Sequence, residues 1–572
     1  MPLVIGVVGL GGLGEGLAKV LLANGAEVIG VDSDLDVLSR VHRRLSGPQL
    51  TLATELVDLK RADLVVEALP EDFHTKETVL RRLVDQCAPG TVFLTTTPTL
   101  SVAQLAIASG APDRVIGLRY EIPPPYGHHA SLIGTSMASP EAFHLARKAI
   151  KLAGTEIVDI GVRPAEAATA LLYACMNRTI DLADAGYATI EDLDTAMKLG
   201  CGLKFGPLHL LDLIGLDTVR AALQRLHEIT GEDSYVPSQL LDRMVEEGHT
   251  GRKSGQGFHR YDDHGEIIPP PSNRVTNGEP REIQRAGVVG AGLMGRGIAE
   301  ILVVAGIPTT LVARTPEKAE AAQDRIRASL TRLVQKGRMS EQDRRDVLAR
   351  LTVSTGYDTL RDADIVIEAV AEDMTVKRAV LQGIDGATKP KAIIATTTSS
   401  LSVTDCANVT SRPEDVIGLH FFNPAPVMKL VEIVRTDHTA DDVHATAHAL
   451  VKWLRKTAVD CADRVGFIVN HVLFPYLNDA IRMLARTDVT VEEIDTAIVT
   501  AFHHPMGPFT LLDTIGLDVS LAILETLSAA SPTGEPAPAE ELRLLVEAGH
   551  LGRKTGSGFR LVNKGKQEIP LH

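Results

Sequence analysis

The chain is written twice. The stretch "GVVGLGGLGEGLA" at residues 6–18 returns as "GVVGAGLMGRGIA" at 287–299, which sets Gly9 and Gly290 281 positions apart. Further along, Glu67 answers Glu368, Gly117 answers Gly418, and "GRKSGQGF" (251–258) answers "GRKTGSGF" (552–559), each pair 301 apart. One length change of 20 residues, between the glycine turn and Glu67, accounts for the difference. A register held over so many segments means a tandem duplication of one unit, each about half the chain long. At 572 residues the chain also exceeds what a single hydrophobic core can hold.

Within each unit the first part, 1–160 and 283–460, alternates short Val/Ile-rich runs with helical stretches, the pattern of a parallel sheet covered on both faces. The second part, 161–262 and 461–572, has long helical periodicity and almost no strand signal. The expected fold is therefore α/β followed by all-α: two tandem copies of a Rossmann-type dinucleotide-binding domain and a helical domain. A Pro-, Gly- and Asn-containing linker at 263–282 joins them.

Lys and Arg number 58 against 73 Asp and Glu, a net charge of −15, so no nucleic-acid or membrane partner is expected from bulk attraction. Five widely spaced cysteines without a CxxC argue against a zinc site or disulfide framework, and no metal is expected; they suit a reducing cytoplasm. The start "MPLVIGVVGLGGLGEG" lacks a basic leader region and reads as a strand entering a turn.

Gly9, Gly11 and Gly14 follow a Val/Ile run and open a helical stretch, with Asp32 at the end of the next run. That context suits a pyrophosphate on a helix N-terminus and a carboxylate on the ribose hydroxyls of NAD. The second copy keeps Gly290, Gly292 and Gly295, flanking Leu293 and Met294, but has Ala313 where the acid stood and Arg314 next to it. Exchanging an acid for a guanidinium favours a 2′-phosphate, so NADP is the expected preference of the second half.

"TTTSSLS" (396–402), "GLHFFNP" (418–424), "MKLVEIV" (428–434) and "GFIVNHV" (466–472) bring together Ser399, His420, Asn423, Glu432 and Asn470. Oxidising an alcohol needs a base for the hydroxyl proton, which a histidine supplies near neutral pH. A carboxylate such as Glu432 would fix its tautomer, and Ser399 and Asn470 would donate hydrogen bonds to the reacting oxygen.

With "GAGLMGRGIA", "VIEAVAED", "GLHFFNPAPVMKLVEIV" and "PMGPFTLLDTIGLD", these segments resemble the L-3-hydroxyacyl-CoA dehydrogenase family over essentially 284–560. The resemblance implies reversible NAD(P)-dependent oxidation of a 3-hydroxyacyl-CoA. It places the catalytic pair on His420 and Glu432, the substrate-oxygen contacts on Ser399 and Asn470, and nicotinamide contacts on Glu372, Lys377, Ser399 and Asn423. It also implies a helical arm holding coenzyme A, with Ser329 and Lys336 as contacts, and pairing through the helical domains. Thr397 departs from the asparagine usual in the family's "SNTSS" motif.

The constant register assigns the first copy's counterparts: Pro98 for Ser399, Arg119 for His420, Ile122 for Asn423, Ser131 for Glu432 and Thr169 for Asn470. The missing 20 residues fall where the arm belongs. The first half is expected to be a non-catalytic, NAD-binding partner in an internal pseudo-dimer, with further homo-oligomerisation open; His128 and His129 are the only nearby replacement bases. Rival readings are a dehydrogenase acting on an acyl-carrier-protein ester or a free hydroxyacid, or a nucleotide-binding scaffold without turnover.

Overall fold

β-Branched runs bounded by turns become two eight-stranded sheets. The structure is a computed structural model describing residues 3–158, 161–270, 278–530 and 537–560. The first sheet contains β1 (Val4–Val8), β2 (Glu27–Val31), β3 (Leu50–Ala53), β4 (Leu64–Glu67), β5 (Val92–Thr96), β6 (Val115–Arg119), β7 (His129–Ile133) and β8 (Glu156–Ile157). The second contains β9 (Ala286–Val289), β10 (Thr309–Val312), β11 (Leu351–Ser354), β12 (Ile365–Glu368), β13 (Ile393–Thr396), β14 (Val416–Phe421), β15 (Leu430–Arg435) and β16 (Thr457–Ala462).

The strand orders are the same, β3-β2-β1-β4-β5-β6-β7-β8 and β11-β10-β9-β12-β13-β14-β15-β16. All pairs are parallel except β6 with β7 and β14 with β15. Central strands are buried on both faces, which is why their sequences run apolar without alternation. Chain direction over the sheet reverses between β1 and β4, and between β9 and β12, opening a crevice beyond their C-terminal ends.

Strand register confirms the equivalence read from the sequence. Val8 faces Glu67 as Val289 faces Glu368, and Arg119 faces Ser131 as His420 faces Glu432. The length change lies where expected. The ten-residue helix Leu35–Arg44 stands in the first half where the second has the 20-residue helix Pro316–Gln335 and a further helix, Glu341–Leu348.

The sheets have separate cores, whereas the helical domains share one. Leu171, Met176 and Ile180 of the helix Val162–Asp184 belong to the same apolar cluster as Leu477, Ile481 and Ile498 of the second half. Arg178 forms an ion pair with Asp479, its own counterpart at a separation of 301, so this contact lies on the axis relating the halves.

Two boundaries move. β16 runs to Ala462, so a boundary at 460 cuts a strand. The expected linker is free over less of its length: Tyr261 bridges Ile267, Arg44 donates to the Asp263 carbonyl at 2.6 Å, and Arg281 pairs with Asp415 and Asp442. Residues 271–277 lie outside the described residues. Among the described residues no helix is long and apolar enough to cross a membrane.

Candidate active site

The glycine turn after β9 is built for close approach. Gly290 sits at φ +120°, and a Cβ there would lie 2.2 Å from the Ala369 carbonyl oxygen; a Cβ on Gly295 would lie 1.8 Å from the Gly290 oxygen. Those two glycines are demanded by the protein itself. Gly292 is different, because a Cβ there would meet nothing within 4 Å. Its bareness at the N-cap of the helix Leu293–Val304 fits a dinucleotide pyrophosphate laid against the backbone. Leu293 is exposed there, and Met294 packs against the sheet core.

Beneath the crevice lies a buried ionic floor. Asp373 caps the helix Met374–Ala387, fixing its first turn, and Lys377 on that turn reaches both carboxylate oxygens of Glu368 at 2.9 Å. Lys377 also stands 3.4 Å from Glu372, whose other oxygen accepts from the Ser399 and Ser400 amides at 2.7 and 2.8 Å and from Thr398 at 2.7 Å. Burial alone would raise the Glu372 carboxyl, but the Lys377 charge and these donors bring it down to about 2. Lys377 therefore lies under the cleft and acts on it through Glu372, which orients the Ser399 loop.

His420 is the penultimate residue of β14 and Glu432 lies directly opposite on β15. His420 Nδ1 is 2.5 Å from Glu432 Oε2, and Glu432 Oε1 accepts from the amides of Ile468 and Val469 at 3.1 and 2.9 Å. An ionised carboxylate only accepts, so Nδ1 carries the proton, and in the neutral imidazole Nε2 is then the acceptor. Those two amides reach Glu432 because the chain turns through Gly466 (φ +82°) and Phe467 (φ +48°), a left-handed conformation costly for a phenylalanine. The Phe422 and Phe467 rings lie 4.6 and 5.5 Å from the imidazole. Asn470, one helical position beyond Val469, donates to the Ser399 carbonyl at 3.5 Å.

Asn423 lines two spaces at once. One is a cavity between the helical domains; the other is a cleft of about 340 Å3 along the arm, lined by Ser329, Arg296, Arg325 and Arg332. Burial and the neighbouring Arg325 charge both depress Arg296, an arrangement that invites an anion. The structure thus adds three cations that the sequence reading missed. For two of them the signal was available, since Arg325, Ser329 and Arg332 follow the i, i+4, i+7 spacing of one helix face. Lys336 is exposed at the far end of that helix, outside this cleft. Arg314 is exposed after β10, whereas Ala313 is buried.

In the first half a cleft of about 570 Å3 remains around Gly9, Gly11, Asp32 and Glu71, and Lys253 lines it too. Asp32 there accepts from the Leu10 amide at 2.8 Å, bracing the glycine turn, while Gly14 packs on the Gly9 carbonyl. Lys253 pairs with Asp217 as Lys554 pairs with Asp518 in the second half. The repeated "GRK" motif was the overlooked pointer to these lysines. At the chemical positions Arg119 donates to the Pro98 carbonyl at 2.8 Å, Ser131 to Val158, and Thr169 to Glu121. His129 lies on the seam between halves, 3.3 Å from His503 and from Glu156. Arg296 is answered by Glu15, which is paired with Arg40 and Arg44.

Elsewhere, His444 and His448 place Nε2 at 2.8 and 2.9 Å from Asp460 Oδ1, a hydrogen-bonded cluster that the sequence did not suggest.

A family model described as "3-hydroxyacyl-CoA dehydrogenase, NAD binding domain" matches residues 47–162 and 285–464, and one described as "3-hydroxyacyl-CoA dehydrogenase, C-terminal domain" matches 167–261 and 466–561. The chain belongs to the 3-hydroxyacyl-CoA dehydrogenase family. It is accordingly an NAD-binding oxidoreductase of 3-hydroxyacyl-CoA. It is 43% identical over 279 residues to the 3-hydroxybutyryl-CoA dehydrogenase of Mycobacterium tuberculosis, covering 48% of this chain and 98% of that one. With the probable 3-hydroxybutyryl-CoA dehydrogenase of Bacillus subtilis it shares 41% over 278 residues, 49% of this chain and 97% of the other. A crystal structure of the 3-hydroxybutyryl-CoA dehydrogenase of Escherichia coli superimposes with a TM-score of 0.53 at 20% identity, over 96% of this chain and 99% of that one, a likeness of fold spanning both copies.

Proposed function

We propose that the second half performs all the turnover and that the first half is a catalytically silent partner within the same chain. The observation carrying this reading is the His420–Glu432 pair, with Nδ1 engaged and Nε2 available as an acceptor. NAD, held on Gly290, Gly292 and Gly295, supplies the hydride acceptor for C3 of the substrate and the donor in reverse. His420 Nε2 takes the proton of the 3-hydroxyl, and Glu432 stabilises the imidazolium that results. Ser399 and the Asn470 amide hold the oxygen as it becomes a carbonyl. Arg296, Arg325, Arg332 and Ser329 bind the phosphates of coenzyme A, and Asn423 stands where the thioester passes into the inner cavity.

The first half lacks a group of suitable basicity at every equivalent position, because arginine stays protonated. Its cleft retains Gly9, Gly11, Gly14 and Asp32, which suit NAD held without reaction. In the second half Arg314 beside Ala313 provides a cation and no repelling acid, so NADPH is accepted alongside NADH.

The test is the initial rate of acetoacetyl-CoA reduction by the full chain with NADH and with NADPH. His420→Ala abolishes it with either cofactor on this reading, and Ser131→Ala leaves it unchanged. Turnover surviving in His420→Ala assigns the chemistry elsewhere.

A further inference from the structure

On the seam between the two helical domains lies a cavity of about 590 Å3. Eight pairs of its lining residues are equivalents 301 apart, among them Leu172 with Leu473, Cys175 with Tyr476, and Cys201 with Phe502. It therefore straddles the axis on which Arg178 meets Asp479. Its mouth does not share that symmetry. Ser399, Asn423 and Asn470 line it, while Pro98, Ile122 and Thr169, which hold those positions in the first half, do not.

At two of these pairs the first half carries a cysteine where the second has a tyrosine or a phenylalanine, so the wall is recessed at Cys175 and Cys201. Apart from Lys204, the walls carry no charged side chain. Burial pushes the Cys175 and Cys201 thiols up to about 12 and brings the His504 imidazole down to about 4. Lys204 is turned onto the Tyr126 carbonyl at 2.8 Å and lies over the Phe205 ring.

We infer that this cavity receives the acyl tail, and that the silent half makes it a chamber for one apolar chain longer than butyryl. The inference rests on the second half being the catalytic one. In a symmetric pair of active units, two mouths would open onto one axial space and two tails would compete for it. Here a single mouth has the whole volume. An apolar cavity of ~150 Å3 is enough for a benzene molecule, so a butyryl tail would leave most of this chamber without contacts. The silent half is then a wall of the substrate site, and Cys175 and Cys201 are the positions whose size sets the length that fits.

The experiment measures kcat/KM for reduction of 3-oxoacyl-CoA esters of butyryl, octanoyl, decanoyl and dodecanoyl length by the full chain. It is repeated with Cys201→Phe, which copies Phe502 onto the opposite wall, and with Cys175→Leu, a smaller intrusion. The decanoyl-to-butyryl ratio is read within each preparation, so any loss of folded protein cancels. The wild type is expected to favour the longer esters, and Cys201→Phe to lower that ratio by about tenfold or more, with Cys175→Leu between. A wild-type preference for butyryl, or a ratio that neither variant moves, overturns the inference while leaving the catalytic assignment intact. Turnover by His420→Ala would instead overturn the reading beneath it. A preference for esters ending in a carboxylate, removed by Lys204→Met, would overturn the apolar assignment.

Discussion

The most instructive contrast is between the two helices that follow the sheets. In the second half the chain turns through Gly466 and Phe467 before the helix Val469–Leu484 begins, and that turn offers two amides to Glu432. In the first half the counterparts of those residues, Ala165 and Glu166, are already inside the helix Val162–Asp184. Ala167 and Ala168, the counterparts of the donors Ile468 and Val469, lie in that same helix, so their amides are not offered to Ser131 as those of Ile468 and Val469 are to Glu432. The difference between the halves therefore reaches the backbone as well as the side chains, and placing a histidine at Arg119 would not by itself reproduce the second half's arrangement. The shared apolar core and the common strand order show what was kept: the surfaces that let the halves pack.

Four experiments break or sharpen that contrast. The largest effect is expected at the base: His420→Ala lowers kcat by about 10²–10⁴-fold, against no change for Ser131→Ala, in a steady-state assay. Next comes the arm. Arg332→Glu removes a charge-assisted contact and should raise KM for the CoA ester about tenfold with kcat little altered. Arg44→Glu, on the short first-half helix, should leave KM where it was.

Third, Arg178→Asp sets two acids against each other on the axis and is expected to lower stability by about 2 kcal/mol, seen as a fall in Tm. The exchange Arg178→Asp with Asp479→Arg should recover most of it. The smallest effect is in the acid limb of stability. The Glu372 carboxyl is held at about 2, below its ordinary 4.5. Its contribution is fully present above pH 4.5 and is lost as pH falls from there towards 2. Glu372→Gln should flatten that part of a stability-against-pH curve measured by denaturant unfolding, and equal slopes in variant and wild type would contradict it.

The duplication, both sheets and the His420–Glu432 pair were legible because each leaves a spacing in the sequence: a constant register, a glycine turn after an apolar run, and two positions that strand pairing sets face to face. The buried position of Lys377 was not legible. Nothing in "EDMTVKRAV" separates a lysine under a cleft from one at its edge until the Asp373 cap and Glu368 fix the helix. Arg296 was missed because its partners Arg325 and Arg332 come from a helix that only tertiary packing brings beside it. The extent of β16 escaped because its exposed edge residues carry no apolar signature.

The ion pair of Arg178 with Asp479 is also a contact that two identical halves could not make with each other on their axis. On the axis of a dimer made from identical subunits, a residue meets its own copy, so a charge there can only repel itself. Two copies in one polypeptide are free of that restriction, and here the two residues are complements. A pair made of two second halves would bring Asp479 against Asp479, and one made of two first halves Arg178 against Arg178. The fusion is held in place by a plus and a minus sign that only make sense together.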